Sequence, residues 1–411
     1  MLIKKQFPLM RRTIASFSFF LLASFAFMLF GCKNETTPSL FDPNYKGLPQ
    51  PVIDSITPPG IALAAAQPLT VYGKNFSTTA SYNLIYFNGV AGTVVSATTT
   101  QLVVASPVDT GAVAIKISVR GAPLFSTEFP YRLTTAIEAF GNFTPPTNGV
   151  AAVTPDSAGN IYFDLLATSS DNGIYIFTPN GTRAQFAPKT SGTSSWSSLK
   201  IGPDKYLYAA KGARALYRFT PTGGAAAALW VSVPNSNPPN TFSDIDFDLN
   251  KNLWTGAASG LYCFKPDKSF KITTFSSSVH AVRVFNGYLY FSALKDSSEK
   301  VFRATINGDT LGTIEEYFNI SSAVGSGLTG QSMTFSSDGY LYIGTQAPFG
   351  LIVVAPNGSF TTPYSAYATM FGTQCNSICW GDGDKLYVST FEGNLLIVHT
   401  QKHGAPYLGL N

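Results

Sequence analysis

The chain has 411 residues, of which 45% are hydrophobic and 12% are charged, so it has enough apolar material for more than one domain core. Four of its 27 basic side chains lie close to the N-terminus, and the other 23 balance the 23 acidic ones. This balance excludes nucleic acid as a partner, because binding to phosphates needs concentrated Lys and Arg.

The N-terminus has the pattern of an export signal. Basic side chains within residues 4–12 precede an uncharged apolar run at 13–30, which predicts a signal peptide over residues 1–31. The letters LFGC at 29–32 resemble the bacterial lipobox, in which the cysteine carries a lipid after cleavage. This resemblance implies that Cys32 is the lipidation site. An ordinary signal peptide or an uncleaved anchor remains the alternative.

A polar segment links this signal to the rest of the chain. Residues 32–50 contain prolines and many polar side chains, which is typical of a flexible tether. The start CKNE at 32–35 resembles the lysine-plus-acid signal that directs some Bacteroidetes lipoproteins to the cell surface. We therefore expect an outer membrane lipoprotein of the cell envelope, periplasmic or surface-exposed, whose membrane partner is reached through the lipid anchor.

Residues 51–133 predict a small β-sandwich. Short alternating apolar segments between turns, such as GAVAIKISV at 111–119, indicate several short strands. The opening PVIDSITPPG at 51–60 and the letters GKNF at 73–76 resemble the IPT/TIG family, which implies an immunoglobulin-like fold. In that motif we expect Gly73 to adopt a positive φ in a turn and the phenylalanine to fill the core. Such domains mostly act as spacers or protein-binding modules, and we assign no site here.

A turn followed by an apolar–aromatic pair recurs six times in residues 134–411. NGYLY at 286–290 and DGYLY at 338–342 are two of these repeats. The aromatic anchors follow one another at intervals of 46, 46, 36, 52 and 45 residues: Tyr162, Tyr208, Trp254, Tyr290, Tyr342 and Tyr387. A repeat of about 45 residues with four strands is typical of a propeller blade, because a blade buries both of its faces only against neighbouring blades.

We therefore predict an all-β chain: a small Ig-like β-sandwich followed by a six-bladed β-propeller over residues 134–411. The segment TAIEAFGNF at 135–143 is expected to add an outer strand to the C-terminal blade and so close the ring. The repeated words resemble those of NHL-repeat and gluconolactonase-like six-bladed propellers. This resemblance implies the fold much more specifically than it implies a function. The aromatic anchors are expected in the core.

The variable loops of the propeller predict its binding face. Chain direction alternates within a blade, so the tight turns lie on one face and the longer loops, with the residues that open the inner strands, lie on the other. Five such residues form the candidate ligand-binding site: Trp196, Asp244, His280, Gln331 and Asn376. An aromatic ring, amides and a lone acid suit a polar ligand such as a glycan. Alternatively, these polar groups satisfy one another and water. The glycine-rich loop at 321–330 is expected to act as a lid or a plug.

The gluconolactonase-like resemblance implies a divalent metal at this face, held by a Glu and several Asn or Asp. Here Ser243 stands where the inner-strand Asp of that family would fall, and one acid is expected at the mouth, whereas such sites need several oxygen ligands. DIDFD at 244–248 resembles a calcium loop but lacks its glycine turn. We therefore assign no metal ligand, no catalytic residue and no cofactor, with a divalent metal kept as a minor alternative.

The leading hypothesis is an exported, lipid-anchored binding protein whose propeller face binds a glycan or a protein of the envelope. A metal-dependent gluconolactonase-like hydrolase and a structural envelope component are the alternatives. Cys263, Cys375 and Cys379 are expected to be buried thiols that behave as small apolar groups. Whether Cys375 and Cys379 form a disulfide stays open, because their spacing on an extended strand is too long without a bulge.

Overall fold

The strands of both predicted domains are present in the structure, a computed structural model that describes residues 46–408 apart from 169, 191, 193 and 235–240. The predicted signal peptide, Cys32 and most of the predicted tether lie outside the described residues. In the part of the chain that is described, no helix is both long enough and apolar enough to cross a membrane.

The first domain is a sandwich of two β-sheets. One sheet has four strands, in the spatial order Val52–Thr57, Leu69–Lys74, Gln101–Ala105 and Thr93–Ala97. The other has five, in the order Ile61–Leu63, Phe129–Thr134, Gly111–Val119, Asn83–Phe87 and Val90–Ala91. A 3₁₀ turn at Ala80–Tyr82 connects the sheets. Alternate residues of the strands are buried, so the inner faces of the two sheets share one core.

The GKNF motif forms a turn at the edge of this sandwich, but the expected positive φ at its glycine is wrong. Asn75 adopts the left-handed conformation instead, with φ of 63°, and its side-chain amide donates to the Gln50 carbonyl over 2.8 Å. Gly73 is required for space, because a Cβ at this position would lie 1.9 Å from the Val52 carbonyl oxygen. Phe76 is buried in the core, as expected.

Six further sheets form the predicted propeller, so the all-β, six-bladed architecture is confirmed. From the inner to the outer strand, blade 1 comprises Gly149–Pro155, Ile161–Ala167, Ser170–Phe177 and Arg183–Ala187; blade 2 comprises Ser198–Ile201, Leu207–Ala210, Ala215–Phe219 and Ala228–Ser232; and blade 3 comprises Ile245–Phe247, Leu253–Ala257, Gly260–Phe264 and Phe270–Thr274. Blade 4 comprises Val279–Phe285, Tyr288–Lys295, Ser298–Asn307 and Glu315–Asn319, with a short added strand at Thr310–Leu311. Blade 5 comprises Ser332–Phe335, Leu341–Gly344, Leu351–Val354 and Phe360–Thr361; blade 6 comprises Cys375–Trp380, Lys385–Thr390, Leu395–His399 and Ile137–Ala139.

The ring closes through the outer strand of blade 6, which comes from the start of the propeller sequence. Ile137–Ala139 pairs antiparallel with Leu395–His399, and the Phe140 N–H donates to the Leu395 carbonyl over 2.8 Å. The inner strand of blade 6 also contacts the inner strand of blade 1. This pairing covers a sheet edge that would otherwise be free, because the first and last segments of the chain share one blade.

The aromatic anchors lie in the core, and in blades 1 to 3 the anchor also bonds to an acid of the first turn. All six are buried: Tyr162, Tyr208, Trp254, Tyr290, Tyr342 and Tyr387. Trp254 Nε1 donates to the Asp248 carboxylate over 2.8 Å, and the Tyr208 hydroxyl lies 3.0 Å from the Asp204 carboxylate. In these blades an acid of the turn therefore satisfies the polar end of a buried ring.

Loops of the propeller contain the short helices and contact the first domain. The helices are Ile320–Val324 and Ala368–Phe371, with a 3₁₀ turn at Ser365–Tyr367. The Tyr367 hydroxyl donates to the Ala64 carbonyl over 2.9 Å, and the Gln401 side chain donates to Gln67 over 2.8 Å. Leu63 packs into the apolar core of the later blades. The sandwich and the propeller are thus in direct contact within one compact unit, Pro49–Asn411.

Candidate functional site

The loop face of the propeller opens into a concave mouth of about 400 Å³. Residues of all six blades and their connecting loops form its wall: Ala151, Ser195, Trp196, Ser197, Gly212, Thr241, Phe242, Ser243, Ser278, Val279, His280, Gln331, Gln374, Asn376 and Phe391. Among these described residues the imidazole of His280 is the one titratable side chain. The described part of the wall is therefore rich in hydroxyls and amides, and none of its side chains is a carboxylate or an ammonium group.

Four of the five predicted site residues border this mouth, and three of them, His280, Gln331 and Asn376, expose their side chains to it. His280 and Asn376 are second in the inner strands of blades 4 and 6, and Gln331 directly precedes the inner strand of blade 5. Each is partly exposed. The Gln374 amide donates to the Asn376 side-chain oxygen over 3.2 Å, so the two amides of blade 6 orient each other. The ring brings these residues together as the repeat pattern predicted.

Trp196 borders the mouth but does not offer its ring to it. The side chain is 1% exposed, and the indole packs edge-on against Tyr217 and Phe219 with ring centroids 5.5 and 5.6 Å away. Its backbone N–H donates to the buried Asp164 carboxylate over 2.8 Å. The indole belongs to the core between blades 1 and 2. The expectation that Trp196 supplies a stacking surface for a ligand is corrected accordingly.

Asp244 lies below the mouth, inside the central channel, and is committed to internal partners. Its Oδ2 lies 2.8 Å from Arg283 Nη1 and accepts from the Val282 N–H over 3.0 Å. Its Oδ1 accepts from the Ser198 hydroxyl over 2.6 Å and from the Ile245 N–H over 2.9 Å. Both carboxylate oxygens are thus satisfied by neighbouring blades, and Asp244 does not line the mouth. We remove it from the candidate site.

Phe391 is the wall residue that the sequence patterns did not single out. Its side chain is 65% exposed at the rim, and its backbone N–H donates to the Gln374 carbonyl over 2.8 Å. It lies in the turn TFEGN at 390–394, between the second and third strands of blade 6. A large apolar side chain in a polar turn was the available signal. It escapes a repeat search because this turn differs from blade to blade.

The glycine-rich loop at 321–330 is neither a lid nor a plug in this structure. Gln346 holds it from blade 5 by donating to the Gly327 carbonyl over 2.9 Å. The Gly330 N–H donates to the Glu299 carboxylate of blade 4 over 3.0 Å. None of the loop's residues, all of which are described, borders the mouth. The loop lies against the outside of the wall and supports it.

The opposite end of the channel is closed by Tyr407, from the C-terminal segment. Its hydroxyl accepts from the Phe335 N–H over 2.7 Å and lies 3.0 Å from the Thr334 hydroxyl. The Lys200 ammonium lies 4.8 Å from the centre of its ring. Burial raises the pKa of Tyr407 to about 12, so the phenol stays neutral. A cavity of about 20 Å³ remains beside it. The mouth is therefore a blind pocket that opens on the loop face.

The three described cysteines are free and buried. Burial raises the pKa of Cys263 and of Cys379 to about 12, and the pKa of Cys375 is raised by burial as well. Because the thiolate is the reactive form, these thiols are inert near neutral pH and pack as small apolar groups.

The mouth residues do not fit the divalent metal that the gluconolactonase-like resemblance implies. Ser243, at the position of that family's Asp, donates its hydroxyl to a backbone carbonyl of blade 4 over 2.7 Å. The other acids of DIDFD are committed as well: Asp246 accepts from the Val284 N–H and Asp248 from the anchor indole of blade 3. Within residues 46–408, as far as they are described, no group of three or more His, Cys, Asp or Glu could hold a metal ion.

Comparison with known proteins identifies the first domain. Residues 51–133 match the family model of the IPT/TIG domain. No curated protein matches the chain significantly. Three solved structures are similar in fold at low sequence identity.

A proposed phosphatase from Bacteroides thetaiotaomicron is 12% identical, with 85% of this chain and 97% of that chain covered and a TM-score of 0.52. A luciferin-regenerating enzyme is 15% identical, with 67% and 99% covered and a TM-score of 0.52. A gluconolactonase from Xanthomonas campestris is 12% identical, with 64% and 89% covered and a TM-score of 0.51. At such identities the likeness concerns the fold alone. The chain is an all-β protein in which an Ig-like IPT/TIG domain precedes a six-bladed propeller.

Proposed function

We propose that the protein binds a neutral glycan in the mouth of its propeller. The composition of the wall carries this proposal. An exposed ring, that of Phe391, stands beside the amides of Gln331, Gln374 and Asn376, and no charged side chain lines the described wall. Sugars offer apolar C–H faces to an aromatic ring and hydroxyls to amides, so an uncharged polar wall with one exposed ring matches them.

The shape of the mouth supports a glycan over a protein partner. Its volume of about 400 Å³ suits a few sugar units, and its concave wall matches a small ligand better than the flat surface that most folded proteins offer. Because Tyr407 closes the far end of the channel, a polysaccharide does not thread through the ring. The pocket suits the end or a short branch of a glycan.

The test is a screen of the full chain against an array of neutral oligosaccharides, followed by titration calorimetry with a retained one. Phe391→Ala should remove about 1–2 kcal/mol of apolar contact, which weakens binding about five- to thirtyfold. Leu249→Ala is the matched control, because Leu249 is 84% exposed in a tight turn of blade 3, on the opposite face. An array that retains no sugar, or equal affinity for Phe391→Ala and wild type, would contradict the proposal.

We also propose that the protein is held at the cell envelope by a lipid on Cys32, as an outer membrane lipoprotein facing the periplasm or the surface. The basic residues, the apolar run and LFGC at 29–32 support this location. The tether and the IPT/TIG domain would then act as a spacer between membrane and propeller. Cys32→Ser should release the protein from membranes into the soluble exported fraction. Unchanged membrane association of Cys32→Ser would contradict the anchor.

A further inference from the structure

A buried carboxylate lies directly behind the imidazole of the mouth. Glu299, in the third strand of blade 4, is 1% exposed, and its Oε1 lies 3.0 Å from His280 Nδ1. The same oxygen accepts from the Gly330 N–H over 3.0 Å. The backbone N–H of Glu299 donates to the Ser321 hydroxyl over 2.8 Å. The loop that supports the wall thus holds the carboxylate through Gly330 and the backbone of Glu299 through Ser321.

This contact decides which ring nitrogen of His280 carries the proton. An ionised carboxylate only accepts hydrogen bonds, so Nδ1 beside Glu299 must be the donor. In the neutral imidazole the other nitrogen, Nε2, then holds a lone pair. Since His280 lines the mouth and Nδ1 faces the protein, Nε2 is the nitrogen left for the cavity. No partner of Nε2 occurs among the described residues.

We propose that Glu299 locks His280 in the Nδ1-protonated tautomer and so makes Nε2 an obligate hydrogen-bond acceptor for a ligand hydroxyl. The wall amides and hydroxyls can each donate or accept, so they discriminate little between donor and acceptor groups of a ligand. An acceptor without a proton admits a donor and rejects a carbonyl or ether oxygen. Glu299 is in this sense a positioning residue. The ligand part of the inference rests on the glycan-binding function proposed above.

The tautomer can be measured without any ligand. The full chain labelled with ¹⁵N-histidine gives few signals, and long-range ¹H–¹⁵N correlation at a pH where the imidazole is neutral shows which nitrogen is protonated. His280→Gln assigns the signal of His280 among the three histidines. We expect protonated Nδ1 and unprotonated Nε2. A proton on Nε2 in the wild type would overturn the proposal, whatever the mouth binds.

Two variants separate positioning from mere support of the fold. Glu299→Gln keeps an oxygen acceptor of nearly the same shape and should keep the Nδ1-protonated form. Glu299→Ala removes the acceptor and should shift the proton toward Nε2. Glu315→Ala, an acid on the exposed outer strand of the same blade, should leave the tautomer unchanged. An unchanged tautomer in a folded Glu299→Ala would overturn the proposal; if that variant does not fold, loss of the Nδ1 proton in Glu299→Gln would do so.

Binding gives the second readout. For an oligosaccharide retained on the array, Glu299→Ala should weaken affinity about two- to tenfold, the effect of one hydrogen bond, and Glu299→Gln should restore it. If the expected tautomer is found but no oligosaccharide binds, the glycan function fails and the positioning role stands. If a sugar binds with equal affinity to the wild type and to a folded Glu299→Ala whose tautomer has shifted, the acceptor role is refuted.

Discussion

Replacing Arg283 by methionine should destabilise the propeller by about 3 kcal/mol, because the Asp244 carboxylate would stay buried without its counter-charge. The two side chains are 4% and 10% exposed, and Nη1 lies 2.8 Å from Oδ2. Breaking such a pair costs about 3–5 kcal/mol. Three neutral donors remain on the carboxylate, from Ser198, Ile245 and Val282, which places the expected cost at the lower end.

Urea unfolding followed by tryptophan fluorescence measures this cost in the right domain, since all four tryptophans lie in the propeller: Trp196, Trp230, Trp254 and Trp380. The double variant Asp244→Asn/Arg283→Met should recover most of the loss, because it removes both charges. The matched control Arg303→Met breaks a more exposed pair and should cost at most about 1 kcal/mol. The reasoning is refuted if Arg283→Met costs no more than this control, or if the two single costs simply add.

Two further predictions concern buried polar groups. Burial raises the pKa of Asp164 well above its usual value, because the folded protein favours the neutral carboxyl group. The stability gained from this shift is fully present below the unfolded pKa of about 3.9 and is lost as the pH rises through the pKa of the folded state. Asp164→Asn should therefore raise the melting temperature at pH 7 and not at pH 3.5; calorimetry at both pH values checks this, and an equal shift at both would contradict it. Tyr407→Phe leaves the buried Phe335 N–H without its acceptor and should cost about 1–3 kcal/mol in urea unfolding. An unchanged unfolding midpoint would show that the C-terminal segment does not stabilise the channel.

Much of the architecture could be predicted from repeated residues. An aromatic anchor such as Tyr290 or Tyr342 recurs because each blade needs a buried ring at the same place in its second strand. This requirement is met within one repeat of about 45 residues, so it is visible in the sequence. The closing strand at Ile137–Ala139 could be predicted for a related reason, because the outer edge of the last blade would otherwise stay unpaired. The positions of His280, Gln331 and Asn376 around one mouth follow from the same repeat.

The site itself depended on contacts that no repeat encodes. Counted from the inner-strand residue that pairs with each anchor, the equivalents of His280 are Ser197 and Ser243, which line the mouth. Trp196 and Asp244 lie one residue away from these positions: Trp196 packs in the core between two blades, and Asp244 pairs with Arg283 of the next blade. Whether such a side chain faces solvent depends on the residues of the next blade, about 40 residues away in sequence.

What the sequence alone determined is the set of elements and their order, because turns, alternation and buried rings act within a blade or between adjacent repeats. Tertiary structure alone decided which polar groups are free for a ligand. Glu299 is 19 residues from His280 in sequence and reaches it only because the second strand of blade 4 returns to the loop face, where the third strand begins. Phe391 becomes a rim residue only because blade 6 closes the ring. Hydrogen-bond satisfaction is a property of the assembled ring, since each donor finds its acceptor on another strand or blade.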